Sequence, residues 1–552
     1  MFRSVCQMRV IAKGLLIASV MITASCSGAS SQPPQSTSVN AARVTSHCTD
    51  VAAAALGPGT LCITNGFRMT QDNFSFANWG RSKRADDNVT AQTLIDLFGY
   101  DTVCTPGATN ECVLQPTAVQ FLELWNTALA GGRCEGLAAL STRLHLSLDT
   151  ANEFGAGYSR AAQLSQQNSS INQSIVYWWA TQFVKEVKRS AADSRRKSPL
   201  LLVDQLIQGL ANSLGYTLGL YYQSQGHSVT PFAVTNRDDN FVIHVYDNNF
   251  PNKRREILVN KTTDTWTYLN ASTSIDGTPV DWTGKVGSLE LTSMSSRQGP
   301  FTCPFCTIVD KETPTLISLT SRDPQNLGFL RITSRKGNAE FTPFGFTSTI
   351  DGATVDIGKG SGGLVTVELP SDLTDFDVYV THQPSSPTAG DVILSIDRPG
   401  YARAQIAGNL ARPTNSGNKP AVSARKNSTT INAPQDSSID VSLAENGTLA
   451  TVELDPSAEM DISRSSKTDL EVSVKGSLPT QSLVIPIAPS TVSERATIQR
   501  QSDNTLKVEI AIPTSVRSRP QRTVNFVPRK SPPKSTTSTT TTLPSIEISE
   551  PD

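Results

Sequence analysis

The chain lacks an apolar run long enough to cross a bilayer as a helix, and it carries almost no net charge. Lys and Arg total 48 against 49 Asp and Glu in 552 residues, a formal charge of −1. That balance excludes a chain-wide basic footprint for nucleic acid, and no nucleic-acid partner is expected. The HExxH pattern is missing, the five histidines are scattered, and the single Cys-x-x-Cys has no second pair at zinc spacing. No metal and no cofactor are therefore expected. Nine cysteines are too few for a disulfide scaffold at this length. Aromatic content of 6% and apolar content of 38% are low, yet still globular. What the chain does have is length beyond one hydrophobic core, which implies several domains. It also has 35 Gly and 32 Pro, which imply many turns and a large β component.

The N-terminus reads as an export signal. Arg3, Arg9 and Lys13 form a positive region, and Gly14 to Ser25 form a short apolar run over residues 1–25. Thr23-Ala24-Ser25-Cys26 follows and resembles the lipobox of bacterial lipoproteins, with Thr23 in place of the usual aliphatic residue. The resemblance implies an acyl (palmitate-type) anchor on Cys26 and a body held at the extracytoplasmic face of a cell membrane. Residues 26–47, rich in Ser, Pro and Gln, read as a flexible tether.

That location permits disulfides. With Cys6 lost with the signal and Cys26 acylated, seven cysteines remain. Short spacing pairs Cys48 with Cys62, Cys104 with Cys112, and Cys303 with Cys306, leaving Cys134 without a close partner. Cys303-Pro-Phe-Cys306 is followed by turn and strand patterns rather than a helix, so it reads as structural rather than redox-active.

Residues 48–300 mix helical and strand patterns. Apolar residues at three and four spacing predict helices over 118–130, 134–148, 172–189 and 199–218. HSVTPFAV and FVIHVYDN, separated by TNRDDN, read as a hairpin. From 307 to 528 helical periodicity disappears and short Val/Ile/Thr-rich runs recur, the pattern of one or two β-sandwiches. Gly358-Lys359-Gly360-Ser361-Gly362-Gly363 matches GxGxxG, but LVTVELP after it is a strand pattern, so the motif reads as a turn. Residues 529–552, rich in Thr and Pro, read as a disordered tail. The fold class expected is therefore an α+β domain followed by an all-β sandwich region.

The chemistry is concentrated around Cys134. Gly131 and Gly132 break one helix, and an Ala-rich helix begins at the cysteine. Unsatisfied N–H groups and the helix dipole at such a start stabilise a thiolate and can receive an oxyanion. Arg133 adds positive charge, and Gly136 leaves room for a close approach. A thiolate nucleophile needs a base and an open approach. His145 lies eleven residues along the same helix, about 16 Å away by helical rise. His227, after Gly226 at a strand start, is the better base. If the hairpin turn centres on Arg237, residues summing to 474 oppose each other and Asp247 faces His227, while His244 points to the other face. A half-residue shift presents Asn248 instead. Asp247 or Asn248 would hold the ring while Cys134 attacks and His227 carries the proton.

The blocks GGRCEGLAALS, QGHSVTPFAV and FVIHVYDNNFP resemble those of papain-like cysteine peptidases over residues 60 to 300. The resemblance implies a papain-like α+β domain and hydrolysis of a peptide or protein substrate in the cell envelope. The family places a glutamine about six residues before the nucleophile as an oxyanion donor. Here that position is Ala128, and Asn126 and Gln120 are the nearest substitutes. Two alternatives stay open: transglutaminase-like acyl transfer, and a non-catalytic envelope-interaction lipoprotein with a vestigial triad.

Overall fold

The computed structural model describes residues 61–104, 112, 114–251, 253–272, 278–305, 313–322, 327–360, 363–381, 392–398, 403–408, 420–425 and 428–432, and beyond these the backbone of strands between 438 and 526. All of them lie in one compact unit, Val44–Asp552. The signal, Cys26, the tether and the tail lie outside the described residues, as do Cys48 and Cys306. No helix among the described residues is long and apolar enough to cross a membrane.

The molecule is α+β with a large β region. Among the described residues seven α-helices follow a first short strand: α1 (Ala91–Phe98), α2 (Tyr100–Val103), α3 (Pro116–Leu129), α4 (Cys134–His145), α5 (Ser169–Ala180), α6 (Lys185–Arg195) and α7 (Pro199–Ala211). Local chemistry sets several of their ends. Thr90 and Thr93 make a reciprocal capping box at α1. Proline opens α3 and α7, where its missing N–H costs nothing. The helix expected over 172–189 is two helices joined by a 3-10 turn, Thr181–Phe183. The one expected over 199–218 ends at Ala211. Ser213 takes a left-handed φ of 55°, and Leu214 N–H closes on Gly209 O at 2.8 Å. Tyr216 and its neighbours then form a strand, because Tyr, Thr and Leu fit a pleated, half-buried surface better than an exposed helix end.

Eight strands follow the helices or flank them: β1 (Cys62–Thr64), β2 (Tyr216–Tyr222), β3 (Gln225–Arg237), β4 (Asn240–Tyr246), β5 (Arg254–Asn260), β6 (Thr265–Ala271), β7 (Val280–Gly284) and β8 (Leu289–Ser293). They form one antiparallel sheet in the order β7-β6-β5-β4-β3-β2-β8, with β1 on β3. Leu202, Val203, Leu206 and Leu210 of α7 pack on this sheet with Leu218, Val229, Ile243 and Ile257. Helix α4 lies against β3, where Ser141 Oγ and Thr230 Oγ1 are 2.9 Å apart.

The register of the β3–β4 hairpin departs from the expected one. Arg237 pairs with Asn240 across a two-residue turn in which Asp238 has φ 50°. The turn is therefore centred later than Arg237, and a bulge between Pro231 and Ala233 shifts the pairing again. Thr230 pairs with Tyr246, and Asp247 follows the last paired residue. Asp247 thus reaches His227 diagonally from beyond the strand end rather than from directly opposite it.

After residue 313 the chain forms a nine-stranded and a ten-stranded sheet, antiparallel except where Ala450–Leu454 runs parallel to Glu494–Arg500. Residues from both sheets, Leu319 and Val367 from one and Leu330 and Val378 from the other, share one apolar cluster. This is one pair of sheets where the sequence left room for two sandwiches. The helical part and the sheets are not separate in packing. Leu364 and Ile393 join Phe98, Trp125, Phe301 and Phe305 in a common core. The ring of Phe305, between the paired Cys303 and Cys306 of the sequence, lies 4.7 Å from that of Phe121. Cys104 and Cys112 are joined by a disulfide. Cys62 and Cys303 are also disulfide-bonded, their partners lying outside the described residues, and Cys134 is a free thiol.

Candidate active site

Cys134 is the first residue of α4. The break before it depends on Gly132, whose φ of 122° is one that side chains rarely adopt. A Cβ there would also lie 2.8 Å from Asn78 Nδ2. Asn78 accepts a hydrogen bond from Arg133 N–H at 2.7 Å through Oδ1, donates through Nδ2 to Asn249 Oδ1 at 3.0 Å, and donates its backbone N–H to Asn248 O at 2.8 Å. One asparagine therefore ties the start of α4 to the end of β4. The remaining N–H groups of the first turn have no intrahelical acceptor, as at any helix start.

Arg133 does not aim its charge at the thiol. Its buried guanidinium donates to Asp87 O and Trp79 O, both at 3.0 Å, and stacks over the Trp79 ring. Burial lowers its pKa to about 10, with Asp87 opposing the shift. It holds the 79–87 stretch against the helix start. Gly136 makes room for a backbone rather than a substrate: a Cβ there would meet Ile175 O of α5 at 2.0 Å.

His227 lies near the start of β3, fully buried. Its Nε2 is 2.8 Å from Asp247 Oδ1. Asp247 also accepts from Asn249 N–H at 2.9 Å and from the Tyr268 hydroxyl. Burial opposes the imidazolium, but the neighbouring Asp247 and Cys134 outweigh it and raise the His227 pKa to about 10. Burial likewise opposes the Asp247 carboxylate, and His227 and Tyr268 hold it below the usual carboxylate range. Nδ1, the nitrogen not used by Asp247, has no partner in hydrogen-bond geometry. Cys134 is nonetheless close enough to act on the ring both through its charge and as a side-chain partner. A buried imidazole anchored on a carboxylate, close to a thiol at a helix start, is the arrangement in which a base can take a nucleophile's proton.

Asn248 is not the ring's acceptor. Its Nδ2 donates to Cys134 O at 3.0 Å and Ser228 O at 2.9 Å, joining helix and strand. Asn126 is committed elsewhere, accepting from Val89 N–H at 2.7 Å and donating to Val89 O at 3.0 Å, so its amide is used on a loop. Gln120 is buried on α3, six residues earlier and about 9 Å along the axis. His145 pairs with Asp72 at 3.2 Å, and His244 Nε2 lies 2.9 Å from Thr235 Oγ1. Asn78, Asn249 and Tyr268 were not found by sequence reasoning. Asn78 and Tyr268 join the site from segments with no motif of their own, while Asn249 lies in the FVIHVYDNNFP block but was given no role there.

The thiol chemistry needs an approach, yet Cys134, His227 and Asp247 have no exposed surface. Cys134 is buried with the first part of α4, from Cys134 to Thr142, while polar His227 and Asp247 are buried beside Ser228, Asn248 and Asn249. The side chain after Cys134, Glu135, enters a buried charge network. Glu135 Oε1 meets Arg297 and lies 3.2 Å from Lys359 Nζ, and it accepts from Thr217 at 3.1 Å. Lys359 Nζ also contacts Glu290 Oε1 at 2.6 Å, and Glu290 accepts from Tyr221 at 2.8 Å. Compared with family models, curated proteins and solved structures, the chain matches none of them.

Proposed function

We propose that this protein is a lipid-anchored, extracytoplasmic thiol hydrolase of peptidase or amidase type, with a papain-like site of Cys134, His227 and Asp247. The observation that carries the reading is the orientation of His227, anchored to Asp247 through Nε2 with Nδ1 left unpartnered beside Cys134. The thiolate attacks an acyl carbon, and free N–H groups in the first turn of α4 stabilise the oxyanion. His227 gives its proton to the leaving amine, then takes one from the water that hydrolyses the thioester. Asp247 keeps the ring oriented and favours the imidazolium, and Tyr268 and Asn249 keep Asp247 in place. The extracytoplasmic location rests on the basic–apolar–Cys26 order.

The test is alkylation of Cys134 by a thiol-directed electrophile under native conditions. A hydrolase predicts labelling that falls at least tenfold in His227→Ala. Labelling indifferent to His227 would sink it. Full burial of the three residues favours a second reading, an envelope-interaction protein whose triad is vestigial; a native Cys134 that never labels in any variant supports that one.

A further inference from the structure

The segment that closes the site comes from the β-rich part of the chain, more than 120 residues beyond His227. Gly360 donates its N–H to Gly226 O at 3.3 Å, the carbonyl immediately before His227. On its other side, a Cβ on Gly360 would lie 2.5 Å from Gly132 O, two residues before Cys134, and 3.4 Å from Trp179 Nε1. A Cβ on Gly226 would in turn meet Gly358 O at 3.1 Å. Between the two glycines Lys359 is 3% exposed, with its N–H on Gln182 Oε1 at 2.7 Å and its ammonium on Glu290 and Glu135. Gly360 therefore lies in a slot between the block that carries the thiol and the block that carries the base. The carbon of an acyl group attacked by Cys134 has to come within about 3–3.5 Å of the sulfur, and the slot flanked by Gly132 and Gly226 adjoins both reacting blocks.

We propose that Gly358-Lys359-Gly360 occupies the acyl side of the cleft as an internal substrate mimic, and that the residue this cleft accepts at the position of Gly360 is glycine. The proposal rests on the thiol-hydrolase reading above. The slot walls facing the Gly360 α-carbon are main-chain atoms and an indole, which cannot swing aside as a flexible side chain can. A carbonyl that receives the occupant's N–H recognises backbone whatever the sequence, so selectivity comes from exclusion of the Cβ. Lys359 is the latch. Withdrawing it would leave Glu135 and Glu290 buried with less positive charge, so the closed arrangement is favoured. Being part of the same chain, the mimic competes at a high effective concentration.

The experiment uses the full chain carrying Gly360→Leu, a side chain the slot cannot hold at a φ of 129°. Chloroacetamide should then alkylate Cys134 at least tenfold faster than in the native chain. A short peptide thioester ending in glycine should acylate Cys134 of this variant, and its phenylalanine counterpart should not. An alkylation rate within twofold of native, with unchanged circular dichroism, overturns the occlusion; equal acylation by the two thioesters overturns the glycine preference. The native chain provides a measurement that needs no variant: the Gly360 amide should exchange with deuterium slowly, and exchange at the unprotected rate overturns the proposal. His227→Ala placed on Gly360→Leu separates the two readings. Fast alkylation that ignores His227 sinks the hydrolase and keeps the occlusion. A His227-dependent rate already complete in the native chain sinks the occlusion and keeps the hydrolase.

Discussion

Cys134 and Glu135 are neighbours in sequence and belong to two buried polar networks of opposite character. In the Glu135 network every carboxylate has cations: Glu135 and Glu290 are met by Arg297, Lys359 and Arg195, with hydroxyls from Thr217, Tyr221 and Thr292. Burial opposes the Glu290 carboxylate, yet its cations lower its pKa to about 2. The Cys134 network is anchored at one end by Asp247, and at the other only Cys134 acts on the His227 ring. Buried polar groups are normally satisfied, and an exception asks for an explanation. The first network is built as structure. Both leave buried atoms without a hydrogen-bond partner, Glu135 Oε2 and Arg297 Nε in the first and His227 Nδ1 in the second, and the proposed chemistry draws only on the last.

The largest expected effect comes from breaking the structural network. Lys359→Met removes the cation shared by two buried carboxylates and should cost about 3–5 kcal/mol, read as a lower urea midpoint. An unchanged or higher midpoint would mean that the pairing does not stabilise the fold. Asp247→Asn acts on the second network. The raised pKa of His227 means that this ring contributes stability fully present below the unfolded value near 6.5, and lost as pH rises through about 10. In Asp247→Asn the ring should titrate at lower pH by NMR, and stability between pH 6.5 and 10 should fall less steeply with pH. Each tenfold weakening of proton binding to the ring removes about 1.4 kcal/mol of that dependence. A ring that still titrates near 10 would show that Asp247 is not the charge that matters.

Tyr268→Phe removes a hydroxyl bonded to the Asp247 carboxylate and should cost about 1.5–3 kcal/mol in urea unfolding. The smallest effect is expected from His244→Gln. The contact with Thr235 can persist, so stability should change by less than about 1 kcal/mol and Cys134 alkylation should not change at all. A slower alkylation in that variant would identify His244 as the base and sink the assignment of His227.

The parts of this arrangement that are local were legible. A glycine pair followed by an Ala-rich run marks the helix start at Cys134, and the alternating runs after Gly226 mark the hairpin. The Val/Ile/Thr-rich runs read after residue 307, such as LVTVELP, fall on strands. The hairpin register was not legible, because a two-residue turn and a bulge each shift the pairing and neither has a distinctive sequence in TPFAVTNRDDN. Asp247 still meets His227 because diagonal neighbours on one sheet face remain within reach of such side chains. Arg133 was misread for a related reason. Its charge is local, but the carbonyls that attract it belong to Trp79 and Asp87 in a stretch about fifty residues earlier.

The sequence by itself determined where most helices and strands begin, because periodicity and turn chemistry act over a few residues, while the break at Thr181–Phe183 and the switch to strand at Tyr216 were left to the fold. It also set the candidate nucleophile, the one cysteine without a close partner. Only the tertiary structure decided what surrounds that cysteine. Asn78 fastens the helix start, Tyr268 secures the carboxylate that holds His227, and a turn that reads as ordinary β punctuation carries Lys359 and Gly360 beside it. These contacts join residues as far apart as Asn78 and Arg133, or Glu135 and Lys359. Nothing in the local pattern encodes them, because they are selected by the shape and charge of surfaces that exist only once the chain has folded.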